Sequence, residues 1–358
     1  MKLIYDYKIF FDQTFGGPSR YFVELIKELI NMKQEVTVLS PIYVNQYLKN
    51  IEKKYKKGFY IKNKNFLGSI FKVYNNFISN SYLKRHSFDV LHTTYYDNCL
   101  ISKKPTVITV YDLIHEIYSK DFNFTKLPKQ EIFKKIDHFI CISKNTQKDL
   151  IKYYGIEEKK TSVIYLSNFK INNGSSKTFN HKKSFFLYVG SRKRYKNFTL
   201  LVKAFCKNNF IYDNFDIICF GGGKFIREEL DLFNALKLDL NKIHQTDGND
   251  DLLLSLYKSA TAYICTSRYE GFGLPILEAM SNGCPVVSSN TSSLPEVYGD
   301  AALSFSPNSL EELLNCLNNI VKDNSLRESL VIKGLERVKN FSWEKCAKET
   351  LEVYKNLS

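Results

Sequence analysis

The stretch EGFGLPILEAM, residues 270–280, places two carboxylates, Glu270 and Glu278, on either side of a glycine-rich turn. The apolar residues 262–265 before it predict a strand, and Pro275 favours the first position of a helix. This strand–turn–helix unit predicts backbone N–H donors at the positive end of a helix dipole, with Glu278 in the first helical turn. Such donors suit an anion, although a capped helix with a glutamate in its first turn carries the same pattern.

Strand and helix patterns alternate along the whole chain and predict parallel sheets built from βα units. Apolar runs predict strands at 3–5, 36–39, 90–92, 107–111, 139–142 and 163–166, then at 185–189, 217–220, 262–265 and 286–288. Helical periodicity predicts helices at 19–33, 198–206, 225–236 and 252–260. The predicted fold class is α/β, with two doubly wound domains.

A polar segment rich in Gly, Ser and Lys separates the two sets of strands. It predicts a first domain at 1–168, a linker at 169–184, a second domain at 185–341 and a C-terminal helix at 342–358 that can cross back to the first domain. Ligands of such sheets bind at the carboxyl ends of the strands. We therefore expect the site where the turns of both domains face a central cleft.

The formal net charge of +14 is concentrated in the first half of the chain. Residues 46–86 hold ten Lys and Arg against one acid, interleaved with aromatic residues. This mixture is typical of a surface that rests on anionic lipid, and equally of a solvated, lysine-rich face. Nucleic acid is a weaker interpretation, because no helix-turn-helix, RNP or zinc pattern accompanies the charge.

The eight cysteines are scattered, without a C-x-x-C pair or metal-ligand spacing. They indicate buried thiols in a reducing compartment, and no metal site is predicted. No stretch approaches the roughly 20 apolar residues of a transmembrane helix, and Asp6 interrupts the apolar run that a signal peptide would need. We expect a cytoplasmic protein, either free or peripheral on the inner face of the cell membrane.

Two further turns have features of phosphate sites. In FGGPSRYF, residues 15–22, Gly16 and Gly17 predict a helix N-terminus with free N–H donors, and a plain tight turn fits as well. In YVGSRKRYKNF, residues 188–198, four cations that match a diphosphate follow a strand: Arg192, Lys193, Arg194 and Lys196.

The carboxylates of Glu270 and Glu278 accept hydrogen bonds but cannot donate them, so beside a phosphate they need hydroxyl partners. Sugar hydroxyls are such donors. A nucleotide sugar, with phosphates in its middle and a sugar at each end, would satisfy the glycines, the cations and both carboxylates.

These residues resemble a family 4 glycosyltransferase of the GT-B architecture, in which two Rossmann-like domains face a central cleft. The matching segments span most of the chain: GGPSRYF, DVLHTTYY, TVYDLIHE, YVGSRKRYKNF, FGGGKF, SRYEGFGLPILEAMSNGCPVVSSNTSSLPEVYGDAALSFSP and FSWEKCAKETLEVY. The pair of glutamates with seven residues between them, within the longest segment, is the most specific of these features.

The resemblance implies metal-independent transfer of a glycosyl unit from a nucleotide sugar with retention of anomeric configuration. It implies that Glu278 binds the nucleotide ribose and that Glu270 contacts the donor sugar or stabilises the transition state. Lys196 would neutralise the diphosphate, with Arg192 beside it. The donor-binding set it implies is Gly16, Gly17, Gly190, Ser191, Gly271, Phe272, Gly273, Leu274 and Glu278.

Two positions depart from the family pattern. Ser191 stands where many members have Arg, which moves the arginine one position on, and Tyr111 stands where many have His before Asp112. Asp112 is then a candidate catalytic residue that orients donor or acceptor hydroxyls. His92 and Tyr111 are candidate acceptor-binding residues, and a structural role stays open for His92 and for Asp112.

The first domain is expected to bind the acceptor, a saccharide that the basic segment suggests is lipid-linked. The segments SRYF and YVGSRKRYKNF most resemble mannosyltransferases of bacterial surface-polysaccharide synthesis, covering O-antigen, capsule and lipopolysaccharide. GDP-mannose is therefore the expected donor, with UDP-, dTDP- and other GDP-sugars open. No convincing nucleophile is present, which favours a front-face mechanism over a covalent one.

Two other classes of function would require different residues. An NAD-dependent oxidoreductase would need G-x-G-x-x-G after a first strand, and FGGGKF does not meet that pattern. A non-catalytic lipid-binding or scaffold subunit of the same fold is the alternative, but it would have lost the carboxylates and cations that this sequence retains.

Overall fold

The structure, a computed structural model, describes residues 1–64, 67–96, 100, 102–119, 127–168, 179–192 and 194–358. It divides into two compact units, one formed by residues 1–166 with 342–358 and the other by residues 167–341. Most of the predicted linker, together with Lys193, lies outside the described residues.

The N-terminal unit contains a seven-stranded sheet in which every strand pair is parallel, with the order β3-β2-β1-β4-β5-β6-β7. Its strands are β1 Lys2–Tyr5, β2 Glu35–Tyr43, β3 Lys56–Tyr60, β4 Val90–Thr93, β5 Thr106–Val110, β6 His138–Cys141 and β7 Thr161–Val163. Its helices are α1 Lys8–Asp12, α2 Gly17–Asn31, α3 Gln46–Lys49, α4 Gly68–Arg85, α5 Ile114–Ile117, α6 Leu127–Phe133 and α7 Lys144–Tyr154. The six predicted strands are confirmed with shifted ends. The unpredicted strand is β3, a lysine-rich edge strand.

The second unit contains a six-stranded parallel sheet with the order β10-β9-β8-β11-β12-β13. Its strands are β8 Ser184–Val189, β9 Phe215–Phe220, β10 Ile243–Thr246, β11 Ala262–Cys265, β12 Val286–Ser289 and β13 Leu303–Phe305. Its helices are α8 Phe198–Lys207, α9 Asn209–Asn214, α10 Arg227–Ala235, α11 Asp250–Ser259, α12 Leu274–Ser281, α13 Leu294–Tyr298, α14 Leu310–Lys322 and α15 Asn324–Val338. The short strands β10 and β13 were not predicted.

The last helix, α16 Trp343–Leu357, belongs to the N-terminal unit although it comes last in the chain. It buries Trp343 against Tyr21 of α2, with ring centroids 5.9 Å apart. The hydroxyl of Tyr354 lies 2.8 Å from that of Tyr5 on β1. These buried aromatic contacts hold α16 on the sheet of the N-terminal unit.

Parallel pairing decides where polar loops can gather in the second unit. Since β8, β9 and β11 run in the same direction, the loops that follow them leave the same edge of the sheet. Those loops contain Gly190, Gly221 and Glu270. The predicted donor-binding residues of this unit therefore meet at its carboxyl edge.

Candidate active site

The centre of the carboxyl edge is an ion pair between Lys196 and Glu270. Lys196 lies in the short turn Arg194–Lys196 after β8, and its Nζ donates a 2.6 Å hydrogen bond to Glu270 Oε1. Burial lowers the pKa of Lys196, but the charge of Glu270 and its hydrogen bond to the lysine together outweigh burial and raise that pKa above its usual value. The lysine is therefore held charged where a leaving diphosphate needs a cation.

Both partners of the ion pair keep capacity for a ligand. Ser267 Oγ donates a second bond, 2.7 Å, to Glu270 Oε1. Within the described part of the chain, Glu270 Oε2 accepts no hydrogen bond and Lys196 Nζ donates only one. The pair is thus fixed in position through one oxygen, and its other groups are available to sugar hydroxyls or phosphate.

Serine hydroxyls hold the backbone of the loop that carries Glu270. The N–H of Glu270 donates to Ser292 Oγ at 2.9 Å, and Ser293 Oγ donates to the carbonyls of Glu270 and Phe272 at 2.8 and 2.9 Å. Ser292 adopts a positive φ of 50° to reach this position. The sequence predicts no role for Ser292 and Ser293, because no local pattern distinguishes them from other serines. They contact the Glu270 loop because the chain that follows β12 passes next to the loop that follows β11.

The start of α12 differs from the prediction in two respects. The helix begins at Leu274, which places Pro275 at its second position and Glu278 in its second turn. The reason is Gly273, which precedes the helix with φ +112°. Any other residue there would be strained, and its Cβ would lie 2.9 Å from the side chain of Leu294. In the described structure the N–H groups of Gly273 and Leu274 have no acceptor, and they remain as donors at the positive end of the helix.

Glu278 lies on α12 beside a tyrosine that the sequence did not single out. The hydroxyl of Tyr257, on α11, donates to Glu278 Oε2 at 3.1 Å. Burial, and then the Glu278 charge, raises the pKa of Tyr257 well above its usual value. Tyr257 therefore stays protonated and orients the Glu278 carboxylate.

The side chain of Phe272 packs edge-on against Phe341, so the loop would meet a ligand with the Phe272 backbone.

Arg192, predicted to lie beside the diphosphate, is bonded within the second unit. Its Nε donates to Glu229 Oε1 at 2.7 Å, and its two Nη atoms donate to carbonyls of Gly221, Gly223 and Lys224. Only 3% of its side chain is exposed. The guanidinium is engaged in holding the glycine loop after β9, which leaves little of it to serve as a catalytic cation.

The glycine loop that Arg192 holds fits closely against the loop after β8. Gly221, Gly222 and Gly223 have φ values of +76°, +77° and +76°, and Gly190 has φ +105°. A Cβ on Gly222 would lie 2.7 Å from the carbonyl oxygen of Gly190. The predicted donor residues Gly190 and Ser191 thus border a backbone surface without side chains, where a ligand can approach closely.

In the N-terminal unit, Gly16 and Gly17 lie at the start of α2 as predicted. Gly16 is extended, and Gly17 is the first helical residue, with Pro18 second. A Cβ on Gly17 would meet no atom within 4 Å, whereas one on Gly16 would collide with the side chain of Gln13. A side chain at position 16 would displace the end of the Gln13 side chain, which accepts the N–H of Ser19 at 3.3 Å, whereas position 17 is open at the helix N-terminus.

Tyr111 and Asp112 follow β5 at the carboxyl edge of the N-terminal sheet. Asp112 Oδ1 accepts the N–H of Ile114 at 3.0 Å, and burial raises its pKa above the usual value. The hydroxyl of Tyr111 is buried and has no hydrogen-bond partner among the described residues. A buried hydroxyl left unpaired favours a polar ligand at this position.

The prediction that His92 binds the acceptor is wrong. His92 is 1% exposed, its Nδ1 lies 2.5 Å from Tyr354 Oη, and its Nε2 lies 3.0 Å from Thr109 Oγ1. Burial lowers its pKa to about 3. Both ring nitrogens therefore serve the packing of α16 onto the N-terminal sheet.

This buried histidine predicts acid sensitivity of the N-terminal unit. The folded state keeps His92 neutral down to about pH 3, whereas the unfolded chain binds a proton near pH 6.5, so unfolding is favoured as the pH falls below 6.5. This linkage should lower the free energy of unfolding by about 2 kcal/mol between pH 6.5 and 5. Fluorescence of Trp343, the single tryptophan, during urea titration measures it.

The variant His92→Gln should lose the part of the pH dependence of the unfolding free energy that comes from His92, even if the variant is less stable at every pH. His86→Gln is the matched control, because His86 is exposed on the surface of the same unit. Equal slopes of stability against pH in wild type and His92→Gln would contradict the linkage.

Comparison with known proteins identifies the family. The family described as "Glycosyl transferases group 1" matches residues 169–337, and "Glycosyltransferase Family 4" matches residues 15–166. Together the two matches cover most of the chain. The chain belongs to the family 4 glycosyltransferases, and the resemblance and α/β fold predicted from the sequence are confirmed.

Two curated relatives are similar to part of this chain. O-antigen chain mannosyltransferase B of Escherichia coli is 48% identical over 108 residues, which is 30% of this chain and 28% of that protein. O-antigen chain mannosyltransferase RfbU of Salmonella typhimurium is 28% identical over 221 residues, 60% of each chain. The aligned regions span less than two thirds of these relatives.

A solved structure shows the same GT-B fold. Sucrose-phosphate synthase from Thermosynechococcus elongatus superposes with a TM-score of 0.73 over 100% of this chain and 99% of the other, at 18% sequence identity.

Among the described residues, no helix combines the length and the apolar character needed to cross a membrane.

Proposed function

We propose that the chain is a retaining hexosyltransferase that moves a sugar from a nucleotide sugar to a saccharide acceptor. The observation that carries this proposal is the Lys196–Glu270 ion pair beside the N-terminus of α12, with Glu278 four residues further into the helix. A fixed cation, free N–H donors and two carboxylates suit a ligand that combines phosphates with hydroxyls. Family membership supports the same conclusion.

Cleavage of the anomeric bond builds negative charge on the departing diphosphate. Lys196 Nζ and the N–H groups of Gly273 and Leu274 are fixed before the reaction, so they can stabilise that charge without reorganisation. We propose that these groups supply the whole electrostatic stabilisation, with no metal ion in the reaction. Glu270 Oε2 would accept a donor-sugar hydroxyl, and Tyr257 would hold Glu278 toward the nucleotide ribose.

A front-face path fits the environment of Glu270 better than a covalent intermediate. The carboxylate is stabilised as an anion by Lys196 and Ser267, which makes it a weaker nucleophile. The departing phosphate would instead take the proton of the acceptor hydroxyl. We assign Arg192 a positioning role in this reaction, through the glycine loop that it holds.

Mannose, carried by GDP, is the donor sugar that we propose. Its support is that the relatives from Escherichia coli and Salmonella typhimurium are both O-antigen chain mannosyltransferases. UDP-, dTDP- and other GDP-sugars use the same phosphate and sugar contacts and are the alternatives. The proposed acceptor is a growing surface polysaccharide, bound by the N-terminal unit through Asp112 and Tyr111.

The test is a panel of nucleotide sugars offered to the full chain, with release of free nucleotide as the readout. We expect slow hydrolysis of one donor, GDP-mannose, and faster release when a mannose-containing oligosaccharide is added. Calorimetry with the same panel measures donor binding independently of turnover. Binding without turnover would favour the non-catalytic alternative, and no binding of any donor would contradict the proposal.

The surface of α4 supports a lipid-linked acceptor. Of its three buried residues, Asn75 and Ser79 are polar and Leu83 is apolar. Asn75 donates to the Ile42 carbonyl and accepts the Ile42 N–H, at 3.0 and 2.7 Å. Its outer face carries Ile70, Val73 and Phe77, which are 62%, 68% and 71% exposed. A helix with polar residues inside and apolar residues outside is the reverse of the usual pattern in a globular protein.

The chain segment that contains α4 is strongly basic. In the segment 46–86, of which residues 65 and 66 lie outside the described structure, Glu52 is the single acid, and it pairs with Lys54 at 2.9 Å. A segment that combines exposed apolar side chains with an excess of lysines is typical of a surface that inserts into the interface of an anionic membrane. We therefore propose that α4 docks the protein on anionic lipid, where a lipid-linked acceptor is presented.

A further inference from the structure

Three polar residues gather at the amino edge of the sheet in the second unit. His181 precedes β8, while Asp216 and His244 are the second residues of β9 and β10. The nearest ligand atoms of the three side chains all lie within 4.8 Å of one another. Because the strands are parallel, this cluster is at the opposite end of the sheet from the glycine loop, about 16 Å along β9.

Asp216 is the centre of the cluster. His181 Nε2 donates to Asp216 Oδ2 at 2.7 Å, and His244 Nε2 lies 3.6 Å from the same oxygen, beyond hydrogen-bond length. Asp216 is only 5% exposed. Its second oxygen, Oδ1, is buried without a hydrogen-bond partner among the described residues, and so is His244 Nε2.

Two buried polar atoms left unpaired at one point are costly for a folded protein. Hydrogen bonding inside the cluster accounts for His181 but not for Asp216 Oδ1 or His244 Nε2. A cation placed between the two imidazoles and the carboxylate would satisfy all three side chains. Two lysines close in sequence to the cluster donate to backbone carbonyls, Lys183 to Asp213 and Lys242 to Tyr212.

We propose that His181, Asp216 and His244 form a site for a divalent transition-metal ion of the zinc class. Two neutral imidazoles and one carboxylate are a common zinc ligand set, with ligand bonds of about 2.0–2.2 Å and a fourth position for water. Tetrahedral ligands at that bond length are about 3.3–3.6 Å apart. The two separations from Asp216 Oδ2, 2.7 and 3.6 Å, lie at or within about 0.6 Å of this range. All three ligand atoms lie within 4.8 Å of one another, so metal binding requires the side chains to adjust.

The surroundings of the cluster fit a site that stabilises the fold. The ring of His181 packs against Phe179 and Phe185, with centroids 6.1 and 5.8 Å away. This apolar shell orients the imidazole and limits its access to water. The metal would tie the segment before β8 to the two neighbouring strands, remote from Lys196 and Glu270.

The test is a titration of untagged, chelator-treated full-length protein with Co²⁺, and then with Zn²⁺. We expect one Co²⁺ per chain, with the visible absorption of a four-coordinate nitrogen and oxygen site, displaced by Zn²⁺. Zn²⁺ should also raise the Tm. His244→Gln and Asp216→Asn should each weaken Co²⁺ binding about tenfold or more. If Asp216→Asn folds poorly, the comparison of His244→Gln with the wild type tests the proposal by itself.

Asp213→Asn is the matched control, because Asp213 is an exposed carboxylate at the same edge of the sheet. It should bind Co²⁺ with the affinity of the wild type. His86→Gln, on the other unit, should do the same. The proposal is overturned if the wild type shows no saturable Co²⁺ absorption, or if the absorption is the same in His244→Gln and Asp216→Asn as in the controls.

Discussion

Lys196→Ala should lower kcat about a hundredfold with the donor that the nucleotide-sugar panel identifies. The substitution removes a fixed positive charge from the place where the leaving diphosphate gains negative charge, a loss of about 3 kcal/mol of transition-state stabilisation. Glu270→Gln should also lower kcat, because the amide keeps the size of the side chain but loses the charge that holds Lys196. Steady-state kinetics of nucleotide release measures both effects.

Stability measurements separate this effect from a folding defect. The two side chains are 22% and 17% exposed, so solvent partly screens the pair, and we expect the free energy of unfolding to fall by no more than about 2 kcal/mol. Lys203→Ala removes an exposed lysine from α8 and should leave kcat within about twofold of the wild type. If Lys196→Ala keeps near-normal kcat, the assignment of this lysine to the leaving group is wrong.

Much of the fold follows from local sequence patterns. Buried parallel strands are continuous apolar runs, and the prediction located six of the seven strands in the first sheet and four of the six in the second. The missed strands lack that signal. The edge strand β3 has the sequence KKGFY and is largely exposed, and β10 has the sequence IHQT with only Ile243 buried.

The parts of the site that are contiguous in sequence were found, and those that depend on distant contacts were not. Glu270, Gly273 and Glu278 lie in one segment of eleven residues. Ser292 and Ser293 contact that segment only because β12 pairs with β11, and Tyr257 reaches Glu278 from the preceding helix. Serine and tyrosine are too common for such roles to be read from one sequence.

Distant contacts also explain the errors. His92 looked available for a ligand, but its partner Tyr354 is 262 positions away, on a helix that returns to the N-terminal sheet. The cluster of His181, Asp216 and His244 has no local spacing, since three segments bring it together. Titratable side chains on strands therefore need the tertiary structure before a function can be assigned to them.

The outer face of α4 leads to the second prediction. The triple variant Ile70→Gln, Val73→Gln and Phe77→Gln should bind anionic vesicles about a hundredfold more weakly than the wild type. Each apolar side chain gains about 1 kcal/mol on partial insertion, and about 3 kcal/mol corresponds to that factor. Because the three side chains are exposed, the substitutions should change the free energy of unfolding by only about 0.5 kcal/mol each.

Sedimentation with phosphatidylcholine vesicles, with and without phosphatidylglycerol, measures the binding. Wild type should bind only the anionic vesicles and lose affinity as salt rises, because screening weakens the attraction of the lysines. The matched control Phe210→Gln with Ile332→Gln removes exposed apolar side chains of the second unit and should bind like the wild type. Equal binding of the triple variant and the control would show that α4 is not the membrane surface. A dimer that the triple variant abolishes would instead assign this face to a second copy of the chain, because one apolar face cannot serve both partners at once.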